Sequence, residues 1–468
     1  KSVYDIIESA LNNTPIKMME KTNEPLLDKE GNIKRDKEGN IVFKQVINPE
    51  KTAEANAKVE MLKSKFNEWI YSDRARAKEL ERIYNDKFNC YVKAKFNGDD
   101  LEILGLDGNI KLRKHQKDAI FRSMVQKNIL LDHEVGAGKT YAAIAAVMKQ
   151  KELGLVKKPL IIVPNNLVTQ WDQSIFDAFP NANVLVADEN SLSPKERDEF
   201  LAKVANNDWD AVVIKYTQVE KLPVPFETQK KILDKEIYEL KEALRYYEER
   251  DESTNKRSAR QVEKMIARVE KKVEKLLDDK AKSKTMDFSM LGVDSIVVDE
   301  AHNFKNLGVI SPMNAKGKGA NTSSKRALNM LALTTYINDK KDGKVMFLTG
   351  TPVSNSLSEI YNMQRYLQPK ELENLGIDSF SNWASNFAGI DIAPVRDASG
   401  RIKMEARFSS LTNLPELSNI LSQTTDTITN DDIKAFSKTF VPNKEVIYVK
   451  SEKSKRISDY IGEADENG

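Results

Sequence analysis

The central part of the chain alternates short apolar runs with longer stretches in which apolar residues recur at helical spacing. Short runs rich in valine and isoleucine, bounded by turn residues, predict strands that are buried on both faces. Such strands, alternating with helices, predict an α/β fold in which helices cover both faces of a parallel sheet. The predicted strands are Asn128 to Leu131, Leu160 to Val163, Val184 to Val186, Ala211 to Ile214, Ser295 to Val298 and Val345 to Leu348.

The N-terminal residues have a different pattern, in which polar helix-forming residues surround apolar positions such as Leu62, Phe66 and Trp69. This spacing of three to four residues predicts helices. The string DKEGNI occurs at residues 28–33 and again at 36–41, and its Gly-Asn pair favours a tight turn. Residues 1–106 therefore predict a mainly helical N-terminal extension with a small β-hairpin.

A long charged insertion, residues 228–283, separates the fourth predicted strand from the fifth. Each half of it carries apolar residues at alternating spacings of four and three, which is typical of helices that pack along a seam. The segment DESTN between the halves turns the chain back, so the insertion predicts an antiparallel helical hairpin. The seam positions are Leu233, Ile237, Leu240, Leu244 and Tyr247 in the first half, and Val262, Ile266, Val269, Val273 and Leu276 in the second.

Composition narrows the functional classes. The 468 residues, 40% hydrophobic and 31% charged, are typical of a folded protein of about three domains. No apolar run approaches the ~18 residues that cross a bilayer and no signal-peptide pattern opens the sequence, so no membrane partner is expected. Cys90 is the single cysteine, which excludes an internal disulfide and fits a reducing, cytoplasmic compartment. The net charge of +2 means that any nucleic-acid site is a local patch.

A glycine-rich segment, HEVGAGKT, joins the first predicted strand to a helix-forming stretch. In such a turn, glycines let backbone N–H groups close around phosphate oxygens at a helix N-terminus. Gly136, Ala137 and Gly138 are the predicted phosphate cradle, Lys139 reaches the β and γ phosphates, and the Thr140 hydroxyl ligates Mg²⁺. A structural helix cap is the alternative for this segment taken alone.

The fifth predicted strand ends in the acidic tetrapeptide DEAH. Ligands of parallel sheets sit at the carboxyl ends of the strands, so these carboxylates are expected beside the phosphate loop. Asp299 is predicted to hold Mg²⁺, and Glu300 to orient and deprotonate the attacking water. An ordinary solvated strand end is the alternative for the tetrapeptide alone.

Two shorter motifs complete the candidate chemistry. The sixth strand ends in a hydroxyl-bearing turn with Thr349, Gly350 and Thr351, for which a plain strand-terminating turn is the alternative. Ahead of the phosphate loop, LRKHQ supplies Arg113 and Gln116. The Gln116 amide has the donor and acceptor needed to bind adenine, and its alternative is a surface glutamine.

In order and spacing, LRKHQ, HEVGAGKT, PLIIVPNNLVTQW, DEAHNFKN and LTGTPVSNSLSEIYNMQRYL resemble the successive motifs of the Swi/Snf class of superfamily two helicase-like ATPases. Lys305-Asn306 after DEAH, and the asparagine and acidic residue after TGTP, mark that class rather than helicases in general. The flanks FNEWIYSDRARAKELERIYNDKFN and ARFSSLTNLPEL are similar to segments of the large helicase and adenine-methyltransferase fusion proteins of phages, plasmids and conjugative elements.

The resemblance implies a RecA-like lobe of P-loop NTPase type with ATP and Mg²⁺ as cofactors. It places Arg113 and Gln116 in the ATP site. The residues that it implies for coupling between nucleotide and DNA are His302, Thr349, Gly350 and Thr351. The residues that it implies for contact with one DNA strand are Pro164, Asn165, Asn166 and Gln170. One departure is His133, which replaces an acidic residue common in the wider class.

The resemblance also divides the chain. Residues 107–370 are the expected first motor lobe, 371–443 a linker or helical segment, and 444–468, with the strand-like EVIYV, a truncated start of a second lobe. No QxxGRxxR-like string, which would carry that lobe's arginines, follows Val449. Since the sequence also starts at Lys1 rather than at a methionine, we expect a piece of a longer protein.

The function that the resemblance implies is ATP-driven translocation on double-stranded DNA, in phage or mobile-element DNA processing, modification or defence. A second motor lobe from the rest of the chain is the expected partner. An adenine methyltransferase domain is a further partner that stays open, because no Asn-Pro-Pro-Tyr string occurs here. Two alternatives also stay open: a nucleotide-gated DNA-binding or scaffold module without hydrolysis, and a DEAH-type RNA helicase. The basic segment 303–326 is either a DNA-contacting loop or a solvated one.

Overall fold

The structure is a computed structural model, and it divides the chain into one compact unit at Lys1–Ile428 and a second at Thr429–Gly468. It describes residues 3–26, 32–33, 35, 39–89, 94–248, 253–282, 286–309, 311, 313, 315–319, 323–352, 356–396 and 402–436. Within these ranges no helix is both long enough and apolar enough to span a membrane. The EVIYV strand predicted near the end lies outside the described residues.

The N-terminal extension consists of helices around a two-stranded antiparallel sheet. Its elements are α1 (Val3–Leu11), β1 (Met19–Pro25), β2 (Phe43–Ile47), α2 (Pro49–Tyr71) and α3 (Arg74–Tyr84). Asn48 caps α2, because its side chain accepts a hydrogen bond from the Lys51 N–H at 2.9 Å. The two DKEGNI copies lie mostly outside the described residues, and β1 and β2 pair on either side of them.

The described residues after the extension form nine strands. They are β3 (Asn128–His133), β4 (Pro159–Val163), β5 (Val184–Val186), β6 (Ala211–Lys215), β7 (Ser295–Val298), β8 (Lys344–Thr349), β9 (Ala388–Arg396), β10 (Ile402–Leu411) and β11 (Thr425–Ile428). The six strands predicted from the sequence are all present. Seven of the described strands form one sheet in the order β11-β3-β8-β7-β4-β6-β5, and every neighbouring pair is parallel.

Helices connect these strands. They are α4 (Lys114–Val125), α5 (Lys139–Glu152), α6 (Val168–Ala178), α7 (Arg197–Asn206), α8 (Tyr216–Val219), α9 (Phe226–Glu248), α10 (Ser253–Lys282), α11 (Lys325–Asp339), α12 (Ser358–Leu367), α13 (Pro369–Leu375), α14 (Phe380–Phe387), α15 (Leu414–Ser422) and α16 (Asn430–Phe436). Within the first unit, helices lie on both faces of the sheet, because neighbouring residues of one strand pack into different apolar clusters. Leu130 packs into one apolar core and its neighbours Ile129 and Leu131 into another. This is the predicted RecA-like α/β architecture.

The segment 371–443 differs from the linker or helical segment that the sequence predicted. It contributes the antiparallel pair β9 and β10 and the strand β11, which joins the edge of the large sheet beside β3. β11 escaped prediction because its residues Thr425, Asp426, Thr427 and Ile428 are mostly polar and partly exposed, as an edge strand allows. The sheet therefore takes one strand from beyond residue 370, and the predicted lobe boundary there remains a prediction.

The inserted helical hairpin is confirmed. α9 and α10 pack on each other through a separate apolar cluster in which Leu233, Leu240, Ile266 and Val269 are buried. The base of α9 also touches the lobe, since Lys231 pairs with Asp339 at 3.1 Å. The hairpin therefore has its own seam and is tied to the lobe at one end.

Candidate nucleotide site

Four of the predicted motifs meet at one edge of the sheet. The strands β3, β8, β7 and β4 are consecutive neighbours, and all are parallel. The glycine-rich loop follows β3, the TGT turn follows β8, the DEAH segment follows β7 and the PNN segment follows β4. Because parallel strands end on the same side, the four segments lie side by side at the carboxyl edge, where α/β folds bind their ligands.

The glycine-rich loop ends at the first turn of α5. Gly136 and Gly138 have φ values of +88° and +81°, in the left-handed region that glycine adopts without steric cost. Lys139 begins α5, and its Nζ donates hydrogen bonds to the carbonyl oxygens of His133 at 2.6 Å and Glu134 at 3.2 Å. The Lys139 ammonium thus lies folded over its own loop, and Thr140 is half-buried beside it.

Two side chains of helix α4 donate hydrogen bonds to backbone carbonyl groups of this loop. Gln116 Nε2 donates to the Gly138 carbonyl at 2.9 Å, and Gln116 Oε1 accepts from the Arg113 N–H at 2.8 Å. His115 Nε2 lies 2.8 Å from the Ala137 carbonyl oxygen, to which it donates. Gln116 is buried rather than a surface glutamine, and its amide holds the loop. Binding of adenine by Gln116 and Arg113 stays a prediction.

Asp299 is a buried carboxylate at the end of β7. Its side chain is 5% exposed, its Oδ2 accepts from Trp171 Nε1 at 2.8 Å, and its Oδ1 accepts from the Glu300 N–H at 3.0 Å. Burial raises the pKa of Asp299 above its ordinary value, although the Trp171 hydrogen bond opposes that rise. A nearby cation would stabilise the ionised form of this buried carboxylate and so offset the free-energy cost of its burial.

The backbone at Glu300 is held in a sparsely populated conformation. Glu300 has φ +47° and ψ +49°, which is left-handed and costly for a residue with a side chain. The Tyr216 hydroxyl donates to the carbonyl oxygens of Asp299 and Glu300, and Asn303 Nδ2 donates to the Glu300 carbonyl at 3.0 Å. Burial raises the pKa of Tyr216 far above its ordinary value, so the hydroxyl remains a donor.

Sequence reasoning missed Trp171 and Tyr216 as site residues. Trp171 closes the segment PLIIVPNNLVTQW, and Tyr216 directly follows β6. For Tyr216 the available signal was an aromatic residue with a polar atom directly after a buried strand, and for Trp171 it was a place in a segment that already resembled a motif. The partners of that polar atom depend on packing between distant segments, which no spacing in the sequence encodes.

The TGT turn lies against the DEAH segment and the glycine-rich loop. His302 Nδ1 lies 3.1 Å from Thr349 Oγ1, and the same oxygen accepts from the Thr351 N–H at 3.1 Å. A methyl group placed on Gly350 would lie 3.2 Å from the His133 carbonyl oxygen and 3.6 Å from Lys139 Nζ. The four predicted coupling residues therefore stand between the acidic pair and the phosphate loop, and their role in coupling stays a prediction.

The predicted DNA-contacting residues form a polar ridge after β4. Asn165, Asn166 and Gln170 are exposed and Pro164 is half-buried. Asn165 Oδ1 accepts from the backbone N–H and the hydroxyl of Thr217, both at 3.4 Å. The ridge is accessible to a large partner, and contact with DNA stays a prediction.

The basic segment 303–326 is partly packed against the lobe. Lys305 pairs with the buried Glu359 at 3.3 Å. The Lys316 N–H donates to the Ala406 carbonyl on β10 at 2.9 Å. Its described part is therefore not simply solvated.

ATP and Mg²⁺ fit this edge of the sheet. Gly136 has open space where a side chain would stand, so the loop backbone can approach a phosphate group closely. Lys139 supplies positive charge, and the Thr140 hydroxyl and the Asp299 carboxylate supply the oxygen ligands that Mg²⁺ prefers. These residues are compatible with a magnesium nucleotide, and its binding stays a prediction.

Comparison with known proteins identifies the family. A family described as "Probable helicase domain" matches residues 123–429, and a domain of unknown function (DUF8437) matches residues 1–90. The "Defense against restriction protein B" of Escherichia phage P1 is 24% identical over 420 residues, with 80% of this chain and 18% of that protein covered. The chain thus spans about a fifth of the length of this curated relative.

Solved structures with similarity include two of the SWI2/SNF2 ATPase core of Sulfolobus solfataricus. The structure in complex with dsDNA has 17% identity and a TM-score of 0.38, with 71% of this chain and 47% of that chain covered. The core domain alone has 17% identity and a TM-score of 0.36, with 73% and 49% covered. The family match spans more than half of the sequence and contains the phosphate loop, the acidic pair and the TGT turn. The chain belongs to the probable helicase domain family.

Proposed function

We propose that this chain is the first motor lobe of an ATP-driven translocase on double-stranded DNA. One observation carries the proposal: the phosphate loop, the TGT turn, the DEAH segment and the PNN ridge end four consecutive parallel strands. Coupling of hydrolysis to movement on a polymer requires that the nucleotide site and the polymer contact be mechanically connected. In this chain the candidates for both lie at the same edge of one sheet.

In the proposed site, Lys139 turns from the carbonyl oxygens that it contacts towards the β and γ phosphates. Thr140 and Asp299 hold Mg²⁺, which neutralises phosphate charge when bound. Glu300 orients a water and accepts its proton. Tyr216 and Asn303 fix the backbone of the turn that carries the Glu300 carboxylate, so the carboxylate is held in place for this role. His302 Nδ1 lies 3.2 Å from Glu300 Oε2 and 3.1 Å from Thr349 Oγ1. His302 therefore connects the acidic pair to the TGT turn.

The proposed mechanism also needs an arginine from elsewhere. Among the described residues, the hydrogen bonds and ion pairs of Lys139, Asp299 and Glu300 involve no arginine. An arginine delivered to the γ-phosphate is worth roughly 10³ to 10⁵ in the rate of phosphoryl transfer. We therefore propose that a second motor lobe supplies it.

The relative from phage P1 is named for defence against restriction. We propose a related setting for this chain, in the processing, modification or protection of phage or mobile-element DNA. The ridge residues Asn165, Asn166 and Gln170 offer amide groups and no formal charge. Amide groups can donate hydrogen bonds to phosphate and sugar oxygens, which fix a protein on a duplex without reading its sequence.

Steady-state release of phosphate tests the proposed function. The protein that includes the second lobe is assayed without nucleic acid, with duplex DNA and with duplex RNA. We expect stimulation by duplex DNA that exceeds stimulation by RNA. Equal rates in all three assays would favour a scaffold module, and stronger stimulation by RNA would favour an RNA helicase.

A matched pair of variants locates the DNA contact. Replacing Asn165 and Asn166 by alanine is expected to reduce DNA stimulation while the rate without DNA is kept. The control replaces Asn206 and Asn207 by alanine, two adjacent exposed asparagines ahead of β6, at the opposite end of the strands. Equal DNA stimulation in both variants would contradict the placement of the DNA site.

A further inference from the structure

The edge strand β11 continues its pairing into the nucleotide loop. Its residues pair in register with β3, from Thr425 opposite Leu130 to Ile428 opposite His133. One step further, the Glu134 N–H donates to the Ile428 carbonyl oxygen at 2.9 Å. The first residue after β3 in the glycine-rich loop is thus hydrogen-bonded to the end of β11.

A cluster of charged side chains reinforces this connection. Asp426 Oδ2 lies 2.7 Å from His133 Nε2, and Asp426 Oδ1 lies 3.2 Å from Arg122 Nη1. His133 is fully buried, and the Arg122 side chain is 5% exposed. Burial alone would raise the pKa of Asp426, but His133 and Arg122 hold it below its ordinary value. Asp426 is therefore ionised at neutral pH and is the shared partner of both side chains.

Arg122 also fastens the chain just before β11. Its guanidinium donates to the carbonyl oxygens of Ser422 at 2.7 Å and Thr425 at 2.9 Å. Arg122 lies on α4, whose first turn holds the phosphate loop through Gln116. One arginine thus connects the entry of β11 to the helix that supports the loop.

The other arm of the cluster reaches the catalytic lysine. The His133 carbonyl oxygen accepts from Lys139 Nζ at 2.6 Å, and Gly350 approaches the same oxygen. The second ring nitrogen of His133, Nδ1, is buried and has no hydrogen-bond partner among the described residues. The position of the His133 ring therefore depends on Asp426, and the anchor point of Lys139 depends on His133.

We propose that Asp426 is a positioning residue for the nucleotide loop, acting through His133 and Arg122. By this route the geometry of the loop is set by β11, the strand that leads directly to Thr429, where the second compact unit begins. A displacement of β11 moves His133 and Glu134, the first residues of the glycine-rich loop, and with them the backbone N–H groups of the loop that meet phosphate, so the affinity for nucleotide falls. This inference rests on the proposed function, because it assumes that the loop binds a magnesium nucleotide.

The test is the variant Asp426→Asn, which keeps the size of the side chain and removes its charge. Equilibrium titration with a fluorescent ATP analogue and Mg²⁺ is expected to give a dissociation constant about 10-fold higher than that of the unchanged protein. In steady-state assays KM is expected to rise more than kcat falls. Asp426→Glu, which keeps the charge, is expected to recover part of the affinity.

The matched control is Thr427→Val on the same strand. Thr427 is exposed, and its side chain makes a long hydrogen bond, 3.5 Å to Asp132, outside the cluster. We expect its nucleotide affinity to be unchanged. If Asp426→Asn melts at a lower temperature yet binds the analogue as tightly as the control, the cluster is structural only and the inference is wrong.

Two outcomes separate this inference from the proposed function. If the unchanged protein binds no nucleotide, the proposed function itself fails. If it binds nucleotide and Asp426→Asn binds equally well, only the role of Asp426 fails. Should Asp426→Asn not fold, Arg122→Lys provides the second test, since lysine keeps the charge but loses the forked contact to Asp426 and Ser422.

Discussion

At the scale of single residues, the site depends on a few buried polar contacts around two carboxylates. Glu300 is held in a left-handed backbone conformation by hydrogen bonds to its own carbonyl oxygen from Tyr216 and Asn303. Asp299 is held by the Trp171 indole. Strain and burial of this kind are typical of sites that are organised before the ligand arrives.

Trp171→Phe tests the support of Asp299. The change keeps an aromatic ring and removes the N–H that binds Asp299 Oδ2. The pKa of Asp299 therefore rises further, so that Mg²⁺ competes with a proton for a larger fraction of the molecules. We expect the Mg²⁺ concentration for half-maximal phosphate release to rise severalfold, because the loss of one charge-assisted hydrogen bond has an effect of about this size. Trp209→Phe is the control, because its indole donates to the Lys203 carbonyl ahead of β6, at the opposite end of the strands. Equal Mg²⁺ dependence of the two variants would refute the assigned role of Trp171.

The raised pKa of Asp299 also predicts a pH dependence. In the folded protein without Mg²⁺, Asp299 keeps its proton at pH values above the ordinary aspartate value of 3.8. The folded state then binds more protons than the unfolded state, so stability falls as pH rises through that window. Bound Mg²⁺ offsets this loss. Melting curves from acidic to neutral pH are expected to show a Mg-ATP stabilisation that grows with pH, and this growth is expected to be smaller in Asp299→Asn.

At the scale of elements, the sequence predicted six strands of the sheet, including the edge strand β5, and missed the other edge strand, β11. Strands such as β4 and β7 are apolar on both faces, a pattern that is typical of the buried strands of a parallel sheet. β11 pairs with one neighbour only and carries Asp426 and two threonines, so its pattern is that of a polar turn. The chemistry-bearing residues at strand ends were predictable because the strands were. The supports Trp171, Tyr216 and Asp426 were not, because tertiary packing brings them to the site.

The helical hairpin gives a prediction at this scale. Replacing residues 241–260 by a short glycine-rich turn removes equal lengths of α9 and α10 at the outer end of the seam and keeps the contact of Lys231 with Asp339. Because that seam forms an apolar cluster separate from the clusters that pack against the sheet, we expect one cooperative melting transition with a shift of only a few degrees. Loss of the transition would show that the hairpin is part of the lobe core.

At the scale of the whole molecule, the proposed function makes this chain one half of a composite site. The lobe brings Lys139, Asp299 and Glu300 to a common edge, and the proposed mechanism takes its arginine from a second lobe. We therefore expect the 468-residue chain alone to bind Mg-ATP weakly and to hydrolyse it slowly, with little stimulation by duplex DNA. Phosphate release measured at low salt checks this. Rapid, DNA-stimulated turnover by the chain alone would mean that self-association or an arginine of this chain completes the site.

The central claim is that the glycine-rich loop binds nucleotide while the DEAH carboxylate acts on water. The most direct measurement is equilibrium binding of Mg-ATP, with phosphate release in parallel, for Lys139→Ala and Glu300→Gln in the protein that includes the second lobe. We predict that Lys139→Ala weakens binding by roughly 10- to 100-fold, because the loop loses its charge on the phosphates. Glu300→Gln is predicted to bind like the unchanged protein and to release phosphate about 10² to 10⁴ times more slowly. Tight binding by Lys139→Ala, or unchanged turnover by Glu300→Gln, would contradict the account.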